Sequence, residues 1–133
     1  MKVDGRCHCG AISFEAEVAP GTIGVCHCTD CQTLTGSAFR AVIPAPAESF
    51  VLSGAPTEYI KTAESGTKRR HAFCPNCGTP MYAAALGNTA SYSLRVGTIR
   101  QREQLGPPAR QIWCKSALTW SFIENVPKAQ KQV

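Results

Sequence analysis

"CPNCG", residues 74–78, sets two cysteines three positions apart with a glycine directly behind them. The C-x-x-C spacing lets two thiolates point at one metal ion, and the glycine supplies the positive φ such a turn needs. Near the start of the chain "CHCG", residues 7–10, ends in the same glycine after a C-x-C pair. On an extended backbone residues i and i+2 face the same way, so Cys7 and Cys9 can also meet one ion. Pooling the pairs gives Cys7, Cys9, Cys74 and Cys77, the four sulfurs of a closed, tetrahedral structural zinc site. Such a site staples the N-terminal segment to the middle of the chain, which is why its reading decides the fold.

A third group, "CHCTDC" at 26–31, offers Cys26, Cys28 and Cys31 without a fourth partner. Zinc is the natural metal for clustered thiolates, and three protein ligands with one open position is how catalytic zinc is held. Spacing leaves two other partitions open. His27 or His71 could close the set, although a strand would point His27 away from a metal shared by its neighbours. Alternatively the C-x-C pair could join two members of the triple and leave "CPNC" as a redox pair, without the βαβ pattern that usually surrounds one. Cys114, alone after "QIW", reads as a buried apolar thiol.

At 133 residues and 14.2 kDa the chain, 1–133, has the size of one domain with a real core. A hydrophobic content of 44% against 17% charged residues fits an ordinary soluble protein, and no run approaches the ~18–20 apolar residues of a membrane helix. The opening "MKVDGRCHCGAISFEAEV" has charge and cysteine where a signal peptide would be apolar, so a cytoplasmic location is expected. A reducing compartment favours metal or catalytic roles for clustered cysteines over disulfides. The formal charge of +5 was counted with neutral thiols; seven thiolates against two Zn²⁺ lower it by three. The basic residues are dispersed, apart from Lys68-Arg69-Arg70 and the group Arg100, Arg102 and Arg110, which argues for a small anionic ligand and against nucleic acid.

Most of the chain reads as strand, with little helix. Ile12, Phe14, Ala16 and Val18 alternate with Ser13, Glu15 and Glu17, the period-2 pattern of a half-buried strand. Further strands are expected at 38–44, 49–54, 56–62, 67–74, 80–86, 91–97, 110–114 and 118–123, punctuated by Pro44, Pro46, Gly54 and Pro56. The best short helix is "TDCQTLTG" at 29–36, and "PKAQKQV" at 127–133 reads as a loose tail. Other zinc and nucleotide chemistries lack their signatures: there is no H-x-E with P-C-x-x-C, no H-E-x-x-H, no G-x-S-x-G, and no P-loop or dinucleotide fingerprint.

Taken together, "GRCHCGAISFEAEV" (5–18), "VCHCTDCQTLTGSAFRA" (25–41) and "RRHAFCPNCGTPMY" (69–82) resemble the glutathione-dependent formaldehyde-activating family, which includes the centromere protein V domain. The resemblance runs from Gly5 to about Trp120. It implies a mainly β fold of two packed antiparallel sheets stapled by zinc, of the kind shared with methionine-R-sulfoxide reductases. It also implies two Zn²⁺ per chain, a structural one on Cys7, Cys9, Cys74 and Cys77 and a catalytic, less reliably filled one on Cys26, Cys28 and Cys31. The family reaction joins glutathione to formaldehyde as S-hydroxymethylglutathione, a carbon–sulfur lyase reaction in reverse, and the open position suits the thiol's own sulfur. Glutathione carries two carboxylates, so Arg40, Arg95 and Lys115 are candidate contacts, with His27 a candidate donor to the forming alkoxide. Thr29, Asp30 and Gln32 are candidate partners of the thiolates. Gln111 stands where many relatives have histidine, which puts the thiol and aldehyde in question more than the fold or metals. The competing expectations are a zinc-stapled binding module without catalytic activity, with nucleic acid as its candidate partner, and a thiol redox protein built on the triple.

Overall fold

The computed structural model describes residues 1–131. The elements run in the order β1 (Lys2–Arg6), β2 (Ser13–Glu17), β3 (Gly24–Cys26), α1 (Thr29–Thr35), β4 (Arg40–Pro46), β5 (Val51–Ser53), β6 (Thr57–Thr62), β7 (Lys68–Phe73), β8 (Pro80–Ala85), β9 (Ser91–Arg95) and β10 (Arg110–Ile112), with short 3-10 turns between some of them. They form two sheets, a small one of order β1-β2-β5 and a large one of order β10-β3-β4-β9-β8-β7-β6. Nearly every pairing is antiparallel, as expected; the exception is β3 with β10, which are parallel because the chain returns from β9 by a long connection.

Alternation sets the two faces of each strand. Val3 on β1 and Phe14 and Ala16 on β2 turn inward and meet Ile43 and Ala45 of β4, Ala72 of β7, Tyr82 of β8 and Leu94 of β9. Phe50 bridges the layers, 5.7 Å from the Phe14 ring and stacked at 4.1 Å on Tyr92. Each fully buried Leu, Ile or Phe of this set contributes roughly 1.5–3 kcal/mol by leaving water. This sandwich consumes one face of the large sheet. Directly opposed residues share a face, so the registers Cys26↔Arg40, Val42↔Arg95, Ser93↔Ala83, Ala83↔His71, His71↔Tyr59 and Lys61↔Arg69 place all of these on the other face.

Three expectations change. Residues 118–123 form turns rather than a strand, and the apolar Trp120, Phe122 and Ile123 there are exposed. The strands β1 and β3 went unread, the first because Asp4 and Gly5 dilute its pattern and the second because three residues carry no period. Cys114 is exposed, not buried, because it follows Trp113 (φ 57) into a surface turn. Within the expected tail, 127–131 hold no helix or strand, and 132–133 lie outside the described residues.

Candidate active site

The two knuckles meet as spacing suggested. The sulfurs of Cys7, Cys9, Cys74 and Cys77 lie within 4.8 Å of one another, with Cys7–Cys9 at 3.6 Å and Cys9–Cys74 at 3.7 Å. A tetrahedron with zinc–sulfur bonds of about 2.3 Å holds its sulfurs about 3.8 Å apart, close to the Cys7–Cys9 and Cys9–Cys74 separations, so the donor set suits that metal. Both knuckles are folded alike: Cys7 N–H bonds Ile12 O and Gly10 N–H bonds Cys7 O, while Cys74 N–H bonds Thr79 O and Gly78 N–H bonds Cys74 O. Gly10 (φ 83) and Gly78 (φ 78) take the positive φ that closes each turn. Backbone N–H groups are aimed at sulfur, Ile12 to Cys7 at 3.2 Å and Asn76 to Cys74 at 3.4 Å. Hydrogen bonds from the Thr79 hydroxyl and backbone hold the Cys77 thiol down to about 5, a shift toward the thiolate that a metal would require.

The second cluster is built at the junction of β3 and α1. Cys26 ends the strand, Cys28 is the N-cap of the helix and Cys31 lies in its first turn. Cys28 takes the place of the usual Ser or Asp cap, accepting from Cys31 N–H at 3.2 Å. The three sulfurs lie within 4.8 Å of one another, and among the described residues no His, Asp, Glu or further Cys joins them. Burial pushes the Cys31 thiol up to about 12, with Cys28 and Cys26 adding to the shift. Burial opposes ionisation of Cys28 too, but the Cys31 N–H and the neighbouring thiols hold it below its usual range. Three thiols that cannot all ionise side by side are what a divalent cation reconciles, so these residues also fit a thiophilic metal.

Around the triple, the outer face of the large sheet is cationic. Arg40, the cross-strand partner of Cys26, and Arg95 on β9 are buried at 5% and 8% exposure, and both approach His71 Nδ1, at 3.3 Å and 3.1 Å. Guanidinium has no acceptor, so Nδ1 must be the bare nitrogen and Nε2 carries the proton. Burial drives His71 down to about 4, with the Arg95 and Arg40 charges adding. Burial likewise pulls Arg95 down to about 9. Lys61 reaches Asp30 of α1 at 2.9 Å; burial works against its charge, but Asp30 and the cysteines more than offset that.

The candidate contacts therefore separate. Arg40 and Arg95 stand beside the triple. His27 does not: it is 1% exposed, its ring lies 5.4 Å from those of Phe39 and Phe122, and its Nε2 meets Gln111 Oε1 at 2.8 Å. The extended backbone at Cys26–Cys28 turns it away from the sulfurs, and a donor role toward an alkoxide there is withdrawn. Lys115 is exposed over the Trp113 ring at 5.1 Å. Gln32 braces the cluster, donating to His27 O at 2.9 Å and Ser116 O at 3.0 Å. Lys61 was missed: spacing puts it on the face of Tyr59, but that this is also the His71 face depends on the β6–β7 register.

The profile of the family described as "Glutathione-dependent formaldehyde-activating enzyme" matches residues 2–116. An uncharacterized lyase of Schizosaccharomyces pombe is 26% identical over 102 residues, covering 77% of this chain and 72% of that one. A Halomonas elongata protein provisionally named a glutathione-dependent formaldehyde-activating enzyme is 30% identical over 88 residues, 62% of this chain and 55% of its own length. The crystal structure of a Rhodobacter sphaeroides protein superposes with a TM-score of 0.61 at 23% identity, covering 81% of this chain and 98% of that one, and so shares the fold. Among the described residues no helix is long and apolar enough to cross a membrane. With the match spanning nearly the whole chain and both cysteine clusters inside it, this protein belongs to the glutathione-dependent formaldehyde-activating enzyme family.

Proposed function

We propose that the chain joins and separates a small thiol, of which glutathione is the expected example, and a small aldehyde such as formaldehyde, a carbon–sulfur lyase reaction when run toward cleavage. The observation that carries this reading is the asymmetry of the clusters: four converging sulfurs in one, three in the other with no fourth protein ligand among the described residues. Cys7, Cys9, Cys74 and Cys77 would hold a structural Zn²⁺, and Cys26, Cys28 and Cys31 a catalytic one. When bound at the triple, the metal supplies positive charge at an open position, which lets a thiol ionise near neutral pH.

The chain's own residues do the rest. The Cys31 N–H fixes Cys28, Gln32 ties α1 to the His27 and Ser116 carbonyls, and the Asp30–Lys61 pair pins the helix to β6. The triple is thereby held by rigid elements, and the gain comes from bringing two reactants together in one orientation. The thiolate sulfur adds to the aldehyde carbon, the carbonyl electron pair moves to oxygen, and that oxygen takes up the proton the thiol released. The Arg40 charge favours the developing negative charge in either direction. The test is exchange NMR on glutathione and formaldehyde with zinc-counted protein. Exchange faster than the spontaneous rate, and lost in Cys28→Ser, is the expected result; no acceleration with two zincs per chain rejects this substrate pair.

A further inference from the structure

The two buried arginines have more donors than the fold satisfies. Among the described residues Arg40 Nε and Arg95 Nε have no hydrogen-bond partner, and the acceptor their other nitrogens share, His71 Nδ1, is neutral. Among the described residues neither arginine has a carboxylate within ion-pair distance; the nearby acids are engaged elsewhere, Asp30 with Lys61 and Glu58 with Arg70. A three-thiolate centre around a divalent metal carries one negative charge, which leaves the second guanidinium unbalanced. An unpaired charge in a buried position costs several kcal/mol, and a protein keeps such a group where a ligand supplies the missing anion.

The space for that ligand is present. A cavity of about 410 Å³ has Arg40, His71 and Arg95 in its lining, apolar walls from Leu34, Tyr59, Phe73 and Pro80, and one acid, Glu58, which is paired with Arg70. Leu34 lies one turn beyond Cys31 on α1 and Arg40 is the cross-strand partner of Cys26, so the cavity lies on the triple's side of the sheet, although the three cysteines do not line it. A second cavity of about 530 Å³ also includes Arg40, Pro80 and Arg95, adds Arg6 and His8, and has no acidic residue in its lining. The two spaces thus meet at the arginine pair.

We propose that Arg40 and Arg95 form a carboxylate subsite for one of the two reactants, the thiol or the aldehyde, holding its anionic end while its reacting end lies at Cys26, Cys28 and Cys31. This rests on the reaction proposed above but can be separated from it by experiment. A guanidinium matches a carboxylate in two-pronged fashion, and the neutral His71 does not compete for the charge the thiolate centre leaves unbalanced. The substrate class is therefore a carboxylate-bearing thiol or an aldehyde acid.

Binding is measured first, without turnover. Benzoate and benzamide, equal in shape and different in charge, are titrated into the zinc-loaded protein while the His71 ring nitrogens are followed by NMR. Benzoate binding at least tenfold tighter than benzamide, weakened at least tenfold in Arg95→Met and partly restored in Arg95→Lys, supports the subsite. Equal binding of the two by the unaltered protein overturns it without reliance on any variant. The source of the carboxylate follows from inhibition: benzoate competing with glutathione assigns it to the thiol, and benzoate competing with glyoxylate in the presence of cysteamine assigns it to the aldehyde. Benzoate that slows neither reaction overturns the assignment. Failure of the thiol–aldehyde reaction with selective benzoate binding intact would instead remove the reaction and leave the subsite standing.

Discussion

Cys9→Ser separates what a metal held by the four-cysteine cluster would contribute to this fold from what packing contributes. The Cys9 side chain is exposed, so replacing sulfur by oxygen opens no cavity, and a surface change of that size is ordinarily worth less than about 0.5 kcal/mol. What it removes is a ligand from the cross-link between residues 7–9 and 74–77, whose nearest sulfurs, Cys9 and Cys74, are 65 positions apart. Closing a loop of that length stabilises the folded chain by about 4 kcal/mol through the entropy it removes from the unfolded one. A chain of this size is stable by roughly 5–15 kcal/mol in total. With a urea slope of about 2 kcal/mol per molar, the midpoint should fall by about 2 M. The assay is urea unfolding followed by circular dichroism, with zinc counted in every sample and Cys114→Ser as the exposed, unclustered control. A Cys9→Ser midpoint within experimental error of that control would refute the staple.

Four further outcomes are expected. Cys28→Ser should keep the fold and lose one of two bound zincs, measured by metal analysis beside circular dichroism; unfolding as severe as in Cys9→Ser would contradict the assignment of that cluster as the open one. Gln111→Leu deprives the buried His27 Nε2 of its acceptor and should cost roughly 1–3 kcal/mol, read from the same unfolding curves, whereas no loss would show that His27 is satisfied otherwise. His71 should remain neutral with the proton on Nε2 from pH 8 to pH 5, since burial and the two arginines hold it near 4; a ring-NMR midpoint near 6.5 would contradict that geometry. Because its folded pKa is depressed, the unfolded chain binds the extra proton below about 6.5, so this group's contribution to stability is complete above that pH and declines toward pH 4, with a slope of at most ~1.4 kcal/mol per unit.

The cysteine clusters were legible in the sequence because ligand spacing is a local property: C-x-C and C-x-x-C with a trailing glycine state their geometry within five residues. Pairing the 7–9 and 74–77 groups then fixed a long-range contact that no periodicity could have supplied. Strand β2 was readable from alternation and β4–β10 from short β-like runs between turn residues, whereas β1 and β3 were too short or too polar for a pattern. The expected strand at 118–123 failed because its apolar residues face outward along turns, and apolar content alone does not pair a strand. The arginine pair with His71 depends on sheet register across β4, β9 and β7, which is set by tertiary packing. Arg40 and Arg95 could be named as candidate cations from sequence; that both meet one histidine nitrogen, without a carboxylate, could not.

The most direct measurement of the central claim, that the triple accepts the substrate's own sulfur, is cadmium NMR of the protein loaded with cadmium. Two resonances are predicted, one from each cluster. Glutathione should move the resonance that disappears in Cys28→Ser and leave the other unchanged. A spectrum in which glutathione moves neither resonance, or moves the one belonging to Cys7, Cys9, Cys74 and Cys77, would contradict the account.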